Sequence, residues 1–295
     1  MNFIKNKIKI FIRNIKYFQK LKNTNEIPKK SIYKCSAKIQ KFNFEQNIQT
    51  KNQPLLLLSS KYHRVVSSRF IEFNRMFGYL KDFEIFFFNH KDRNKYMKKY
   101  WQNHEIYKLY KLATFHQMKS DIFRYCFIYD NGGYWLDFKS SVYFNISTLM
   151  QQEHQNLLTY GPTAKINEKY AFLKDSSLLS FTQGNIINNW VFGATKQSNF
   201  FRFVIENISR DFIEFKNIVY AIPKDAILEL TGPHKITKLF YKYINEDNDR
   251  INEFFITSES DYEFQYISDV GRDFKLLDNV FFKHYSNEEN KKIIR

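Results

Sequence analysis

A few residues in this sequence have types and a spacing that suit ligand binding or catalysis. They are Asp121, Arg124 and Asp137, with Lys139 two positions after Asp137. Asp121 and Arg124 stand three positions apart, a spacing that places two side chains on one face of a helix. Carboxylates accept hydrogen bonds from hydroxyl groups, whereas cationic side chains pair with phosphate oxygens. These residues therefore predict a pocket for a ligand that carries hydroxyl groups and negative charge.

A helical pattern carries the first two of these residues. Ala113 to Asp130 has apolar side chains at spacings of three and four, and Asn131-Gly132-Gly133 ends the pattern because glycine tolerates a left-handed helix cap. The apolar positions are Phe115, Met118, Ile122, Tyr125, Cys126 and Tyr129. Tyr134-Trp135-Leu136 then indicates a buried strand that leaves the core at Asp137. Since ligands bind beyond the carboxyl ends of strands in open α/β sheets, we expect Asp137 to line the pocket.

The chain before this region predicts a strand–helix–strand order. Ser31 to Ile39 favours a first strand, and Tyr62 to Tyr79 has the period of a helix. Phe83 to Phe88 is a short apolar run that is typical of a buried strand. Asp92 to Tyr110 is polar and favours a helix. This order predicts an α/β fold.

The composition is that of a folded protein with a sizeable core. The chain has 295 residues, of which 43% are hydrophobic, with 32 Phe and 20 Tyr but 8 Gly and 5 Pro. This length allows one large α/β domain or two small ones. Cys35 and Cys126 lie far apart without metal-ligand spacing, so they predict neither a zinc site nor a disulfide framework. We expect Cys126 in the core and, without a secretory cleavage pattern, a cytoplasmic protein.

Residues 1–26 predict a basic amphipathic helix, separate from a domain of residues 27–295. Its apolar stripe consists of Ile4, Ile8, Phe11, Ile15 and Phe18, with lysines on the opposite face. About half of the net charge of +16 lies in the first 30 positions, so the remainder has an ordinary basic surface. Charges interrupt every apolar run, so this helix cannot span a bilayer. It either lies on an anionic membrane surface, as in a peripheral membrane protein, or packs on its own domain.

The region around Asp137 resembles a known family. The segments Ser120–Tyr125, Tyr129, Gly132-Gly133 and Tyr134–Asp137 are similar to the core of glycosyltransferase family 32, whose sugar-binding region contains a DXD motif. That family includes yeast initiating mannosyltransferases and many bacterial and viral enzymes of capsule or lipopolysaccharide synthesis. Further similar segments, Asn188–Ala194, Leu230–Pro233 and His284–Ser286, extend the resemblance over most of residues 27–285.

The resemblance implies a single GT-A type domain, an open α/β sheet with a Rossmann-like half that binds a nucleotide sugar. It implies a retaining enzyme that moves a hexose from a UDP- or GDP-sugar to a glycan or lipid-linked glycan acceptor, as in polysaccharide biosynthesis. The resemblance implies that Asp121 and Arg124 bind the donor sugar, and that Asp137 contacts the ribose and the metal side of the diphosphate. Asn189 and Gly232 lie in matching segments and are expected at the donor.

The DXD motif is altered in this sequence, which reads Asp137-Phe138-Lys139. The lysine stands where the family has its second aspartate, a direct ligand of Mn²⁺ or Mg²⁺. Either Lys139 supplies part of the positive charge, or Asp137 binds the metal together with a ligand from elsewhere, such as His284. Because a lysine repels a divalent ion but pairs with phosphate, we expect weakened metal dependence.

Other interpretations of the same residues stay open at this point. Asp121 and Arg124 would also suit an ion pair on a solvated helix face, and Asp137 a strand-end cap. The charge and the aromatic content fit a nucleic-acid-binding protein, although no such signature occurs and no specific nucleic acid is expected as a partner. Lys139 also fits a degenerate transferase that serves as a scaffold. No catalytic base or protein nucleophile is assigned.

Overall fold

The computed structural model describes most of the chain that follows the N-terminal segment. The described residues are 30–34, 36–37, 39–44, 54–60, 64–65, 67–138, 140–150, 153–162, 185–258, 264–266 and 288–295. The amphipathic helix expected over residues 1–26 lies outside them, as do Cys35, Lys139 and His284. The boundary between this helix and the domain therefore stays a prediction.

A seven-stranded sheet forms the centre of the fold. The strands along the described residues are β1 (Lys30–Ser31), β2 (Ile39–Gln40), β3 (Leu55–Ser59), β4 (Arg64–Val65), β5 (Glu84–Phe88), β6 (Gly133–Asp137), β7 (Ser140–Val142), β8 (Asn156–Pro162), β9 (Asn185–Ala194), β10 (Val219–Tyr220), β11 (Phe254–Ser258), β12 (Phe264–Tyr266) and β13 (Lys291–Lys292). Seven of them join in the order β11-β8-β9-β6-β3-β5-β2. Neighbours pair in parallel except at β9, which is antiparallel to both β8 and β6. This open α/β sheet confirms the expected fold class.

Helices cover the sheet and begin and end as the local sequence directs. They are α1 (Ser67–Tyr79), α2 (His90–Trp101), α3 (Glu105–Leu112), α4 (His116–Asn131), α5 (Asn199–Asp211), α6 (Pro223–Leu230) and α7 (Pro233–Glu246). A capping box starts α2, in which Asn89 and Asp92 each accept a hydrogen bond from the other's backbone N–H. The expected glycine stop ends α4 at Gly132, which has a φ of 71° and donates to the Ile128 carbonyl at 2.7 Å.

Three sequence expectations need correction. The helix expected from Tyr62 begins at Ser67, because β4 precedes it and pairs with β1. The strand expected over residues 31–39 is wrong, since the chain turns there and the Ile39 N–H donates to the Ser36 carbonyl at 3.2 Å. The single helix expected over residues 92–110 is two helices, α2 and α3, because the chain turns between them and His104 caps the second one.

The central strand β3 was not among the expected elements. Leu55 and Leu57 pack into the core on one face of the sheet, and Leu56 and Leu58 into the core on the other. A strand buried on both faces has a uniformly apolar sequence without alternation. Gly133 lets β6 approach β3, because a Cβ there would lie 2.6 Å from the Leu55 carbonyl oxygen.

The two cores divide the helices between the faces of the sheet. Residues of α2 to α7 pack on one face, and α1 packs on the other with the 3-10 turn Ile146–Leu149. Cys126 lies fully buried in the first core, as expected. In the part of the chain that the structure describes, no helix has both the length and the apolar character needed to cross a membrane.

Candidate active site

The parallel strands β3, β5 and β6 end together at one edge of the sheet. Ser59, the last residue of β3, pairs in register with Phe88 of β5 and with Asp137, the last residue of β6. The helix α4, which precedes β6, brings Asp121 and Arg124 to the same edge. The three residues singled out by the sequence therefore meet at the carboxyl ends of the strands, where α/β sheets bind ligands.

The Arg124 guanidinium connects the two carboxylates. Its Nη2 lies 3.1 Å from Asp121 Oδ1, and its Nη1 lies 3.2 Å from Asp137 Oδ1. Nη1 also donates to the backbone carbonyl of Asn189 on β9. The guanidinium lies over the Trp135 ring, with Cζ 4.5 Å from the ring centroid, which is a cation–π contact. The side chains of Arg124 and Asp121 are each 7% exposed, so the expected ion pair forms, but on a buried face and not a solvated one.

Both carboxylate oxygens of Asp121 are held by neighbouring side chains. Oδ1 accepts from Asn189 Nδ2 at 3.2 Å, and Oδ2 accepts from Thr231 Oγ1 at 3.1 Å. Burial raises the pKa of Asp121 to about 7 and the Asp137 charge adds to the rise, whereas Arg124 and Thr231 oppose it. A carboxyl group with this pKa exchanges its proton near neutral pH, so it suits hydrogen bonding to a ligand hydroxyl in either direction.

Asp137 forms the exposed side of the site. Its Oδ1 accepts a hydrogen bond from Trp135 Nε1 at 2.8 Å, in addition to the contact with Arg124. The Asp137 side chain is 29% exposed, and its Oδ2 makes no hydrogen bond within the described residues. One carboxylate oxygen is therefore available to a ligand at the rim of the site.

The described residues offer few ligands for a metal ion. Among them, no group of three or more His, Cys, Asp or Glu side chains is arranged to hold one. Asp137 Oδ2 fits Mn²⁺ or Mg²⁺ as a single oxygen ligand, with the others supplied by phosphate and water, which is common for Mg²⁺. His284 and Lys139 lie outside the described residues, so both explanations of the altered motif stay predictions.

The turn between α6 and α7 packs behind Asp121. Its Thr231 is fully buried, and the Thr231 carbonyl accepts from the Tyr125 hydroxyl at 2.8 Å, which ties the turn to α4. A Cβ on Gly232 would lie 2.8 Å from the Leu228 Cα, so glycine permits this close turn. Leu230–Pro233, one of the segments that resemble the family, thus includes the turn that precedes α7. Direct contact of Gly232 with a ligand stays a prediction.

Two residues of the site were missed by sequence reasoning. Trp135 was assigned only to a buried strand, although its position two residues before Asp137 places both on one face of β6. Thr231 was included only as part of the similar segment Leu230–Pro233. Its contact with Asp121 spans 110 positions, and no local pattern indicates such a pairing.

Comparisons with known proteins bear on this site. Residues 67–156, which include Asp121, Arg124 and Asp137, match the family model described as the glycosyltransferase sugar-binding region containing DXD motif. No curated protein was found to match the chain.

Two solved structures are similar at low identity. The PaToxG glycosyltransferase has a TM-score of 0.40 and 13% identity, with 83% of this chain and 84% of that chain covered. The glycosyltransferase GlyE of Streptococcus pneumoniae TIGR4 has a TM-score of 0.32 and 12% identity, with 78% of this chain and 49% of that chain covered. The family match agrees with the resemblance inferred from the sequence: residues 67–156 of this chain are similar to the glycosyltransferase sugar-binding region containing DXD motif.

Proposed function

We propose that this protein moves a hexose from a UDP- or GDP-sugar to a glycan or lipid-linked glycan, with retention of the anomeric configuration. The observation that carries the proposal is the Arg124 guanidinium, which joins Asp121 and Asp137 at the carboxyl edge of the sheet. The family match supports it, because the matched segment contains all three residues.

The two carboxylates suit different parts of a donor. Asp121 is buried and fixed by two side-chain donors, so with Arg124 it would orient the hydroxyl groups of the sugar through directional hydrogen bonds. Asp137 lies further out and has one available oxygen, which suits the ribose or the metal side of the diphosphate. The proposed donor therefore lies with its sugar inward and its nucleotide toward the rim.

Transfer requires positive charge at the leaving group. A departing nucleoside diphosphate gains negative charge, which a cation must stabilise. Arg124 is already shared between Asp121 and Asp137, so additional positive charge is needed, and Lys139 or a divalent ion would supply part of it. A divalent ion, when bound, would act as a Lewis acid on the diphosphate. Asp137 Oδ2 is the oxygen that would hold it.

Retention does not require a protein nucleophile in this arrangement. Asp121 accepts hydrogen bonds on both oxygens and is buried, so it is poorly placed to attack an anomeric carbon. We propose instead that the bond from the anomeric carbon to the phosphate oxygen breaks while the acceptor oxygen bonds to that carbon from the same face. The acceptor proton passes to the departing phosphate. Isolation of a covalent glycosyl-enzyme would contradict this step.

A thermal-shift panel of nucleotide sugars, with and without Mn²⁺, tests the proposal. A bound donor stabilises the folded state by mass action, so the correct donor should raise Tm. Asp137→Ala should then abolish donor hydrolysis without unfolding the protein. Asp82→Ala, at an exposed turn, is the matched control and should behave like the unmodified chain.

The same panel separates the competing functions. Unchanged hydrolysis in Asp137→Ala would contradict the assignment of the site. Stabilisation by arbitrary DNA with a steep salt dependence, and by no nucleotide sugar, would indicate a nucleic-acid-binding protein. A folded chain that binds donors but turns over none would indicate a scaffold.

We also propose that residues 1–26 hold the protein on the cytoplasmic face of an anionic membrane, near a lipid-linked acceptor. The support is the separation of an Ile/Phe stripe from the lysine face in this segment. Flotation with vesicles that contain phosphatidylserine tests it, using the full chain and a chain of residues 27–295. Equal flotation of the two proteins would contradict the proposal.

A further inference from the structure

The helices α2 and α4 begin side by side, but of the two only α2 has an acidic residue in its first turn. The first turn of α2 contains Asp92, which takes part in a capping box. The helix α4 begins at His116, with no side-chain hydrogen bond at the cap position Phe115 and no acid in its first turn. The N–H groups of a helix N-terminus attract negative charge. Within the described residues, the start of α4 therefore has neither an acidic side chain in its first turn nor a side-chain cap.

Arg93 lies at this helix start without an acidic partner. The residue is 3% exposed, forms no ion pair within the described residues, and its Nε makes no hydrogen bond there. Its Nη2 contacts His90 Nδ1, and the His90 ring lies 4.2 Å from the ring of His116, the first residue of α4. A buried cation without an ion-pair partner is costly to the folded state, so an anion at this position would offset part of the cost.

Two more polar groups belong to the start of α4. Lys119, in the first turn of α4, lies with Nζ 5.5 Å from the Tyr110 ring centroid and forms no ion pair within the described residues. The Thr114 hydroxyl, just before α4, is buried and makes no hydrogen bond there. Burial, Arg295 and Arg93 all lower the pKa of Lys119, which is consistent with positive charge concentrated around it.

The cluster lies beside the Arg124 site. Burial lowers the pKa of Arg93 to about 10. Arg124 also lowers this pKa, whereas Tyr110 and Asp121 raise it. At that pKa Arg93 stays protonated at neutral pH, so its charge persists. His116 and Lys119 lie less than two turns before Asp121 on the same helix.

We propose that Arg93, Lys119 and the first turn of α4 form a subsite for a phosphate-sized oxyanion next to the Arg124 site. A guanidinium binds two oxygens of such a group, and helix N–H groups and the Thr114 hydroxyl supply further donors. The anion belongs either to the diphosphate of the donor or to a phosphate on the acceptor. That role rests on the proposed transferase function, whereas binding of the oxyanion does not.

Inorganic phosphate is the probe, titrated into the full chain at constant ionic strength with chloride as the balancing anion. Phosphate should raise Tm by a few degrees at about ten times its Kd. Arg93→Met should weaken phosphate binding by about tenfold or more, because charge-assisted hydrogen bonds are lost. Since this variant removes a buried charge that has no ion-pair partner, its Tm without phosphate should not fall. A merely structural arginine would give the reverse, a lower Tm with unchanged phosphate affinity.

Two further variants keep the test decisive if Arg93→Met does not fold. Lys119→Met should also weaken phosphate binding. Lys108→Met removes an exposed lysine that pairs with Glu105 on α3, and it should bind phosphate like the unmodified chain. A response to phosphate no larger than to chloride, or an equal response in Lys119→Met and Lys108→Met, would overturn the proposal.

Two further experiments test the subsite independently of the proposed function and identify the molecule that carries the anion. Asp137→Ala should lose donor hydrolysis but keep the phosphate response, so failure of one proposal is distinguishable from failure of the other. Phosphate is then titrated into protein saturated with a nucleoside diphosphate. Competition would assign the subsite to the donor diphosphate, whereas unchanged affinity would assign it to a phosphate on the acceptor.

Discussion

Arg124 Nη1 lies 3.2 Å from Asp137 Oδ1, and this contact ties the helix before β6 to the last residue of β6. The same guanidinium reaches Asp121 on its own helix and the Asn189 carbonyl on the next strand of the sheet. One side chain thus fixes the relative positions of α4, β6 and β9. Substitutions that shorten the Arg124 side chain or remove its forked guanidinium group test the site most directly.

Arg124→Lys should lower transfer about 10²-fold, because a lysine cannot contact Asp121, Asp137 and the Asn189 carbonyl together. Initial rates of donor hydrolysis and Tm would be measured for the same preparation. The control is Arg202→Lys, an exposed arginine on α5 that bonds Asn199. Equal rates in the two variants would show that the Arg124 fork is dispensable.

The pKa of Asp121, raised to about 7 by burial, should make stability depend on pH. Because this pKa is above the usual value of 3.8, the folded chain keeps a proton that the unfolded chain loses as pH rises through that range. The contribution of Asp121 to the free energy of unfolding is therefore greatest below pH about 4. It falls toward pH about 7 by at most about 1.4 kcal/mol per pH unit.

The asparagine in Asp121→Asn cannot ionise. The free energy of unfolding of this variant in urea should therefore not show the part of the decline with pH that Asp121 causes. The measurement is the difference in unfolding free energy between the two proteins, taken at several pH values from about 4 to about 8. Parallel curves would show that the carboxyl group of Asp121 is not the source of the pH dependence.

Gly133→Ala should destabilise the fold by about 2 kcal/mol or more. A methyl group there would lie 2.6 Å from the Leu55 carbonyl oxygen, and the φ of 96° is unfavourable for alanine. Gly78→Ala on α1 is the control, since nothing lies within 4 Å of an added Cβ, and it should stabilise by up to about 1 kcal/mol. Unfolding in urea measures both, and similar effects would contradict the close packing of β6 on β3.

Metal dependence should be weak in the natural sequence and stronger in Lys139→Asp, which restores the second carboxylate of the motif. Donor hydrolysis would be measured in EDTA and after adding Mn²⁺ back. The unmodified chain should retain activity in EDTA, and Lys139→Asp should lose more of it. Complete loss in EDTA with full recovery in Mn²⁺ for the unmodified chain would contradict the expectation.

The local sequence was enough to predict that Asp121, Arg124 and Asp137 meet. A helix period fixes the face that two of them share, and the glycine pair followed by an apolar run indicates a strand that ends at Asp137. The edge at which they meet follows from the general behaviour of parallel strands. The resemblance to a family added the expected ligand class. Asn189, from one of the segments similar to that family, donates a hydrogen bond to Asp121.

Other parts of the fold depend on contacts that local patterns do not encode. Leu55–Leu58 has no alternation to indicate a strand, because both of its faces are buried. Arg93 has the sequence context of an exposed helical residue among lysines, yet it is 3% exposed in the folded chain. In both cases the environment is created by tertiary packing.

The residues that complete the Asp121 pocket lie far after Asp121 in the sequence. Its partners Asn189 and Thr231 follow it by 68 and 110 positions, and both lie beyond the matched segment of residues 67–156. Closing such long loops is entropically costly and slow compared with forming local contacts. A nascent or proteolysed chain that stops before Thr231 would therefore carry the family signature without a supported carboxylate. On the proposed function, such a fragment is expected to lack transfer activity.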